Sequence, residues 1–262
     1  MRIPGAADKV SSPWGRSRPG DSPICMFNSP LSPEKADRII EVLGLSAGAQ
    51  VVDIGCGSGE FLLRVMERYK VHGVGIDPDG EALERCRERS AGRVPAEDLR
   101  LCQIEVSAFT WPPRLFDAAI CIGASHAFGG YFQMLQRLSQ RVRSGGLIVV
   151  GDLYWRKEPE SEYRQILGDG MPAFSTDHAE LARAGDSLHL TPPYCARSNQ
   201  DEWDHFEGCF ALNGYRRALS NPDGSEREKA VAKSRGWYDA YLRWGHSAMG
   251  FGWFVFLKTD TQ

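Results

Sequence analysis

The spacing of apolar positions changes period several times along the chain, and each change marks an element. Ala36, Ile39, Ile40 and Leu43 recur three or four residues apart behind Ser32-Pro33, an N-cap followed by proline at the first helical position, and the pattern stops at Gly44. A first helix is predicted there. Gln50 to Ile54 is a short apolar run of strand type that enters Gly55-Cys56-Gly57-Ser58-Gly59, after which Phe61, Leu62, Val65 and Met66 take up the helical period. Val71 to Ile76 predicts a second strand ending at Asp77-Pro78, Gly80 to Arg89 a charged amphipathic helix, and Leu99 to Ile104 a third strand. Phe116 to Ile122 reads as a fourth strand, Tyr131 to Val142 as a helix, and Leu147 to Leu153 as a fifth strand behind the Ser144-Gly145-Gly146 turn.

Strands and helices that alternate in this way close as a parallel sheet with right-handed crossovers and helices on both faces, so the predicted fold class is α/β and Rossmann-like. Beyond Tyr154 the pattern loosens. A polar stretch runs to about Asp169, followed by a short helix over Asp177 to Ala184 and a strand near Ser187 to Pro192. Helical segments then fall around Asp201 to Leu219 and Glu226 to Trp244, and Gly252 to Leu257 predicts the last strand. Two helices between the sixth and seventh strands are more than the sheet needs, and residues 195–248 are expected to form a helical lid.

Composition narrows the function classes. The chain of 262 residues is 42% hydrophobic and 25% charged, the balance of an ordinary globular protein. Its 31 Lys+Arg against 34 Asp+Glu leave a net charge of −3, which gives no field to hold a nucleic acid by phosphate neutralisation. No apolar run approaches the ~20 residues that span a bilayer, so no membrane segment is expected. Residues 1–25 are rich in Pro, Gly and Ser and lack the apolar stretch of a signal peptide; they read as a flexible leader to a domain over 26–262. The seven cysteines are odd in number and without a CxxC pair. That argues against a disulfide framework or a zinc site and for a reducing, cytoplasmic compartment.

Chemistry concentrates at the first strand-to-helix turn. In open α/β sheets a ligand binds outside the carboxyl ends of the strands, where strand order reverses. Glycines at positions 55, 57 and 59 let the backbone bend and let a ligand approach peptide N–H groups, although such a string is also what a simple tight turn needs. Asp53 places a carboxylate two residues before the turn, where it repels a pyrophosphate and attracts an ammonium or sulfonium. Glu60 stands where a dinucleotide fingerprint requires glycine and is expected to add a second negative charge beside the loop. Asp77, 18 residues after Gly59, can accept from both hydroxyls of an unphosphorylated ribose. Glu105 can accept from an adenine amino group while the Val106 N–H donates to the ring.

Val51-Val52-Asp53-Ile54-Gly55-Cys56-Gly57-Ser58-Gly59, Asp77 and Phe116-Asp117-Ala118-Ala119-Ile120-Cys121 together resemble the successive motifs of the class I S-adenosylmethionine-dependent methyltransferases. The resemblance spans about Ser32 to Asp152 and implies a seven-stranded sheet, mostly parallel, whose last strand is antiparallel. It implies S-adenosylmethionine as cofactor, with its methionine part on Asp53, Gly55, Cys56, Gly57 and Gly59. The ribose falls to Asp77 and Pro78, the adenine to Glu105 and Val106, and the amino group near the sulfonium to the Cys121-Ile122 backbone. The family acid after the third strand is usually Asp, and here it is Glu105. A looser similarity, through Ile122-Gly123-Ala124-Ser125-His126 and Gly151-Asp152-Leu153-Tyr154-Trp155, points to a group of bacterial small-molecule methyltransferases.

Methyl transfer is an in-line displacement, so the protein has to position the acceptor and, for a hydroxyl or acidic N–H, remove a proton. His126, behind the fourth strand, can act as that base at neutral pH or be an ordinary loop histidine. Asp152, Tyr154 and Trp155 leave the fifth strand together and can orient the acceptor and shield the sulfonium. His205 beside Asp204 is a second base candidate. Trp203, Phe206, Trp237, Tyr238, Tyr241 and Trp244 either line an apolar acceptor pocket or pack as core. No metal-ligand spacing is present, and no metal is expected. The expected function is transfer of the cofactor's methyl group to oxygen, nitrogen or carbon of a small organic acceptor by a monomer or homodimer. Left open are cyclisation or aminopropyl transfer from the same cofactor, and a non-catalytic sensor.

Overall fold

The computed structural model describes residues 25–112, 116–167 and 177–259. Its strands are β1 (Gln50–Ile54), β2 (His72–Asp77), β3 (Leu99–Gln103), β4 (Phe116–Ile122), β5 (Val142–Trp155), β6 (Leu190–Arg197) and β7 (Met249–Lys258). They form one sheet in the order β3-β2-β1-β4-β5-β7-β6. β7 is antiparallel to both its neighbours and the other pairs are parallel. The central strands are apolar on both faces because both faces are covered. On one face Val51, Ala118, Ile120, Val149 and Trp253 pack under α1 (Pro33–Glu41) and α2 (Glu60–Tyr69). On the other, Val52, Ala119, Ile148, Val150 and Phe254 meet Met134, Leu135 and Leu138 of α4 (Tyr131–Ser139). α3 (Gly80–Ser90) links β2 to β3.

Asp117 shows how one motif residue serves the frame. At the base of β4 its carboxylate accepts from Gln50 N (2.7 Å) and from Arg143 Nε (2.6 Å), locking β1, β4 and β5 in register at the end remote from the glycine turn.

Three elements differ from the sequence expectation, each for a backbone reason. β5 starts at Val142, ahead of the Ser144-Gly145-Gly146 segment, and a register shift between Phe116 and Ala118 absorbs the irregularity. β6 runs through Pro192-Pro193 instead of stopping there. Among the described residues it pairs only with β7, which makes it an edge strand, and its register shifts between Thr191 and Tyr194 where proline has no N–H to give. The polar stretch after β5 contains a helix, α5 (Ser161–Leu167), that buries Tyr163.

α6 (His178–Arg183) precedes β6. The insert consists of α7 (Gln200–Ser220) and α8 (Gly224–Ala240), then a π turn over Tyr241–Gly245. Residues 195–197, expected in the insert, belong to β6. Long-range polar contacts root it. Glu202, in a capping box with Asn199, accepts from Ser32 N (3.1 Å) and Ser32 Oγ (2.7 Å) and is ion-paired with the Lys35 ammonium.

Cys25 and Cys209 form a disulfide across 184 residues, a pairing not anticipated where the cysteine pattern argued against a disulfide framework. Spacing along the chain carried no sign of it, because folding alone brings the two together. The leader reading concerns residues 1–24, outside the described residues; Cys25, its last member, is buried.

Candidate active site

β1 and β4 are neighbours while their connections leave in opposite directions, so the sheet reverses order between their carboxyl ends. The glycine turn lies there. Gly55 N and Cys56 N donate to the Ile76 carbonyl (2.8 and 3.2 Å), folding the turn back across β2. Gly55 and Gly59 have φ of 69° and 77°. A Cβ on Gly55 would lie 2.5 Å from the Ala124 Cβ, and one on Gly59 would lie 2.1 Å from the Cys86 Sγ. Both positions therefore require glycine for conformation and for room. Among the described residues no side chain caps α2 at Gly59, which leaves the first-turn N–H groups open to a ligand.

Two buried carboxylates flank this turn. Asp77, 1% exposed, accepts from Gly57 N and from Asp79 N at 2.9 Å each, so the backbone fixes its orientation. Asp53 is 3% exposed, and burial, with the nearby Asp77 charge adding to it, pushes its carboxyl up to about 8. A cation placed beside this carboxyl would favour its ionised form. Glu60 behaves otherwise than expected. Its oxygens accept from Arg64 Nε (2.9 Å), one turn along the same helix, and from Arg93 Nη1 (2.8 Å) beyond α3, so this carboxylate is neutralised in place and adds no net charge to the turn.

The remaining cofactor candidates line the same edge. Pro78 is exposed beyond Asp77, Glu105 is exposed ahead of a 3-10 turn over Val106–Ala108, and Val106 is buried. Cys121 is buried and pairs with Ile54; Ile122 pairs with Gly151. A second 3-10 turn, Ser125–Phe128, follows β4 and carries His126 exposed. Between the two turns lies a cavity of about 300 Å³ lined by Val106, Ser107, Ala127 and Phe128, with α4 behind.

The fifth-strand residues do not converge as expected. β5 continues through Trp155, so its side chains alternate between faces. Trp155 goes to the α5 face, 6.4 Å from the Tyr163 ring. Tyr154 is buried on the opposite face, with the His178 ring 5.4 Å away and the Arg197 guanidinium 5.9 Å over its ring. Asp152 shares the Tyr154 face, accepts from Leu153 N (2.7 Å), and is pushed up to about 6 by burial against the opposing bonds of Ser125 and Leu153. Its Oδ2 and the hydroxyl of Tyr131 are both buried without a partner among the described residues. Tyr131 was not singled out from the sequence; the only signal was its place right after Gly129-Gly130.

In the insert, Asp204 does not serve His205. It accepts from the Tyr241 hydroxyl and from Gln200 Nε2 (2.9 Å), and the exposed His205 lies instead 3.7 Å from Cys209 Sγ. Trp203 and Tyr241 stack with centroids 6.4 Å apart and are buried, so these aromatics are core. Trp237 donates its indole N–H to the buried Glu207 (2.9 Å).

With this geometry in view, a family model described as a methyltransferase domain matches residues 51–146, from β1 into the start of β5. The sheet order, the glycine turn and this match are those of the class I S-adenosylmethionine-dependent methyltransferases, enzymes whose cofactor is S-adenosylmethionine. Among particular proteins, the chain is 24% identical over 232 residues to YjhP of Escherichia coli, covering 88% of this chain and 93% of that one. An S-adenosylmethionine-dependent methyltransferase from Thiobacillus denitrificans, solved with S-adenosylhomocysteine, superposes with a TM-score of 0.81 at 25% identity over 92% of this chain and 96% of that one. The 27-O-demethylrifamycin SV methyltransferase of Amycolatopsis mediterranei is 26% identical over 184 residues, 66% of this chain and 67% of that one.

Proposed function

We propose that the protein transfers the methyl group of S-adenosylmethionine to oxygen, nitrogen or carbon of a small organic acceptor. The observation that carries this reading is the pair of buried carboxylates, Asp53 and Asp77, on either side of a turn that tolerates no Cβ at its ends. A carboxylate has about four acceptor positions, so Asp77 can hold the turn and the ribose hydroxyls together. Asp53 ionises against the cationic methionine end. Gly55, Cys56, Gly57 and Gly59 present backbone to that end, Pro78 closes the ribose edge, Glu105 and Val106 take the adenine, and the Cys121 and Ile122 backbone faces the amino group.

On the acceptor side, His126 is exposed on the turn after β4, where it can reach a proton on an incoming hydroxyl. Asp152 acts through Ser125, holding that turn in place; Tyr154 supports the strand end from below. The insert serves as a lid over residues 198–248. Small-molecule acceptors are supported by the rifamycin-type relative and by the absence of a net positive charge. No described helix is long and apolar enough to cross a membrane. The five free cysteines among the described residues favour a cytoplasmic location, and the Cys25–Cys209 disulfide stands against it.

Calorimetry with S-adenosylmethionine, its demethylated product and NAD tests the cofactor site: the first two should bind and the third should not. Incubation of a metabolite extract with methyl-labelled cofactor then identifies the acceptor as the compound that gains label. For an acceptor that must lose a proton, His126→Ala should lower kcat about 100-fold at unchanged KM. Label retained in methylthioadenosine, the leaving group of cyclisation or aminopropyl transfer, would overturn methyl transfer, and binding without turnover would favour a sensor.

A further inference from the structure

Cys25, Cys209 and His205 come together at the joint between the segment ahead of α1 and the insert. The two Sγ atoms and a His205 ring nitrogen all lie within 4.8 Å of one another. His205 and Cys209 are one turn apart on the same face of α7, so the helix itself presets their spacing. Cys25 is 2% and Cys209 5% exposed, whereas His205 is open to solvent. Chain spacing gave no metal signature, because one ligand lies 184 residues from another.

The group has two chemically exclusive forms. Oxidised, it is the Cys25–Cys209 disulfide of the structure. Reduced, it is two thiols beside an imidazole. Zn–S bonds of about 2.3 Å and Zn–N bonds of about 2.1 Å at the tetrahedral angle put sulfur and nitrogen about 3.6 Å apart. The Cys209 Sγ to His205 Nε2 distance is 3.7 Å, so that edge of a tetrahedron is already built.

We propose that the reduced form of this joint is a three-ligand site for a thiophilic dication, Zn²⁺ foremost, with water as fourth ligand on the exposed His205 side. Two thiolates buried side by side are costly without a cation, and Zn²⁺ cancels both charges. The balance is explicit. A phosphine reductant and water convert the disulfide to two thiols and phosphine oxide. Zn²⁺ then replaces the two thiol protons, which are released, and takes the imidazole lone pair. The ion ties the segment before α1 to the insert where a reducing compartment forbids the disulfide.

The test uses the full chain reduced with a phosphine, desalted, and titrated with Zn²⁺ against a chromophoric chelator. One ion per chain is expected, with two protons released. Cys25→Ser and Cys209→Ser should abolish this binding, and His205→Ala, at an exposed position, should weaken it about tenfold or more. Co²⁺ in the unmutated chain should give the visible bands of a tetrahedral thiolate site. The proposal falls if the reduced chain takes no ion, if the oxidised chain takes it equally, if either serine variant retains it through the other cysteines, or if Co²⁺ stays octahedral.

Discussion

The turn between β1 and α2 and the insert between β6 and β7 are built on opposite plans. Around the turn, the groups that matter stand within about thirty residues of one another, and their geometry is fixed by backbone: positive φ at Gly55 and Gly59, and peptide N–H groups that aim Asp77. In the insert the decisive contacts join residues far apart in the chain, as in Lys35 with Glu202 and Cys25 with Cys209. A turn whose contacts are local can be written in a short stretch of sequence, whereas the insert is held by pieces that lie far apart in the chain. Damage should therefore stay within the half where it is made.

The largest effect is expected at Gly59. Gly59→Val imposes a branched side chain at φ 77° and drives its Cβ into Cys86, which should cost about 4 kcal/mol in urea unfolding and remove cofactor binding. Glu202→Ala breaks the other half: it strands the buried Lys35 and should cost about 3 kcal/mol, while calorimetry finds cofactor affinity unchanged in the protein that remains folded. A large loss of affinity there would erase the separation drawn between the halves. Burial pushes the Glu202 carboxyl up, but Lys35, Asn199 and Ser32 outweigh it and hold it below 4.5. This contribution is thus present above pH 4.5 and lost as pH falls through the lowered folded value, a slope that Glu202→Ala should flatten in acid denaturation.

A smaller change is expected from Asp77→Asn, which should weaken cofactor affinity by about tenfold to 100-fold, the range for hydrogen bonds to a charged group, and lower the melting temperature as well, because the amide nitrogen cannot accept from the Gly57 or Asp79 N–H that it would face. The smallest effect is a pH slope. With its folded value raised from 3.8 to about 8, Asp53 stabilises the ligand-free fold at low pH, and that contribution is lost as pH rises through 8. A cationic ligand favours the ionised form, so cofactor affinity should increase with pH up to about 8, by no more than about tenfold per unit. Asp53→Asn should leave a flat profile; an unchanged slope in that variant would assign the effect elsewhere.

Most of the sheet was legible because a strand buried on both faces reads as an apolar run whatever its neighbours are. β1 and β4 fall where the pattern puts them. β6 was misplaced because prolines that end an interior strand are tolerated at an edge, and nothing local says which strand is the edge. Glu60 was misread for a related reason. Its charge is plain in the sequence, but Arg93, which neutralises it, is 33 residues away. Tyr131 and Asp152 show the same limit, since two buried polar atoms without partners among the described residues are defined by surroundings and not by spacing.

The sequence by itself determined the alternation of strand and helix, the turn that only glycine can make, and the two acids whose spacing along the chain suits a nucleoside cofactor. These are set by backbone sterics and by period, which act over a few residues. Tertiary structure alone decided which carboxylates keep their charge, which face of β5 each aromatic occupies, and that Cys25 meets Cys209. Burial and Coulomb interactions depend on distance through space, and the chain reveals that distance only once it has folded.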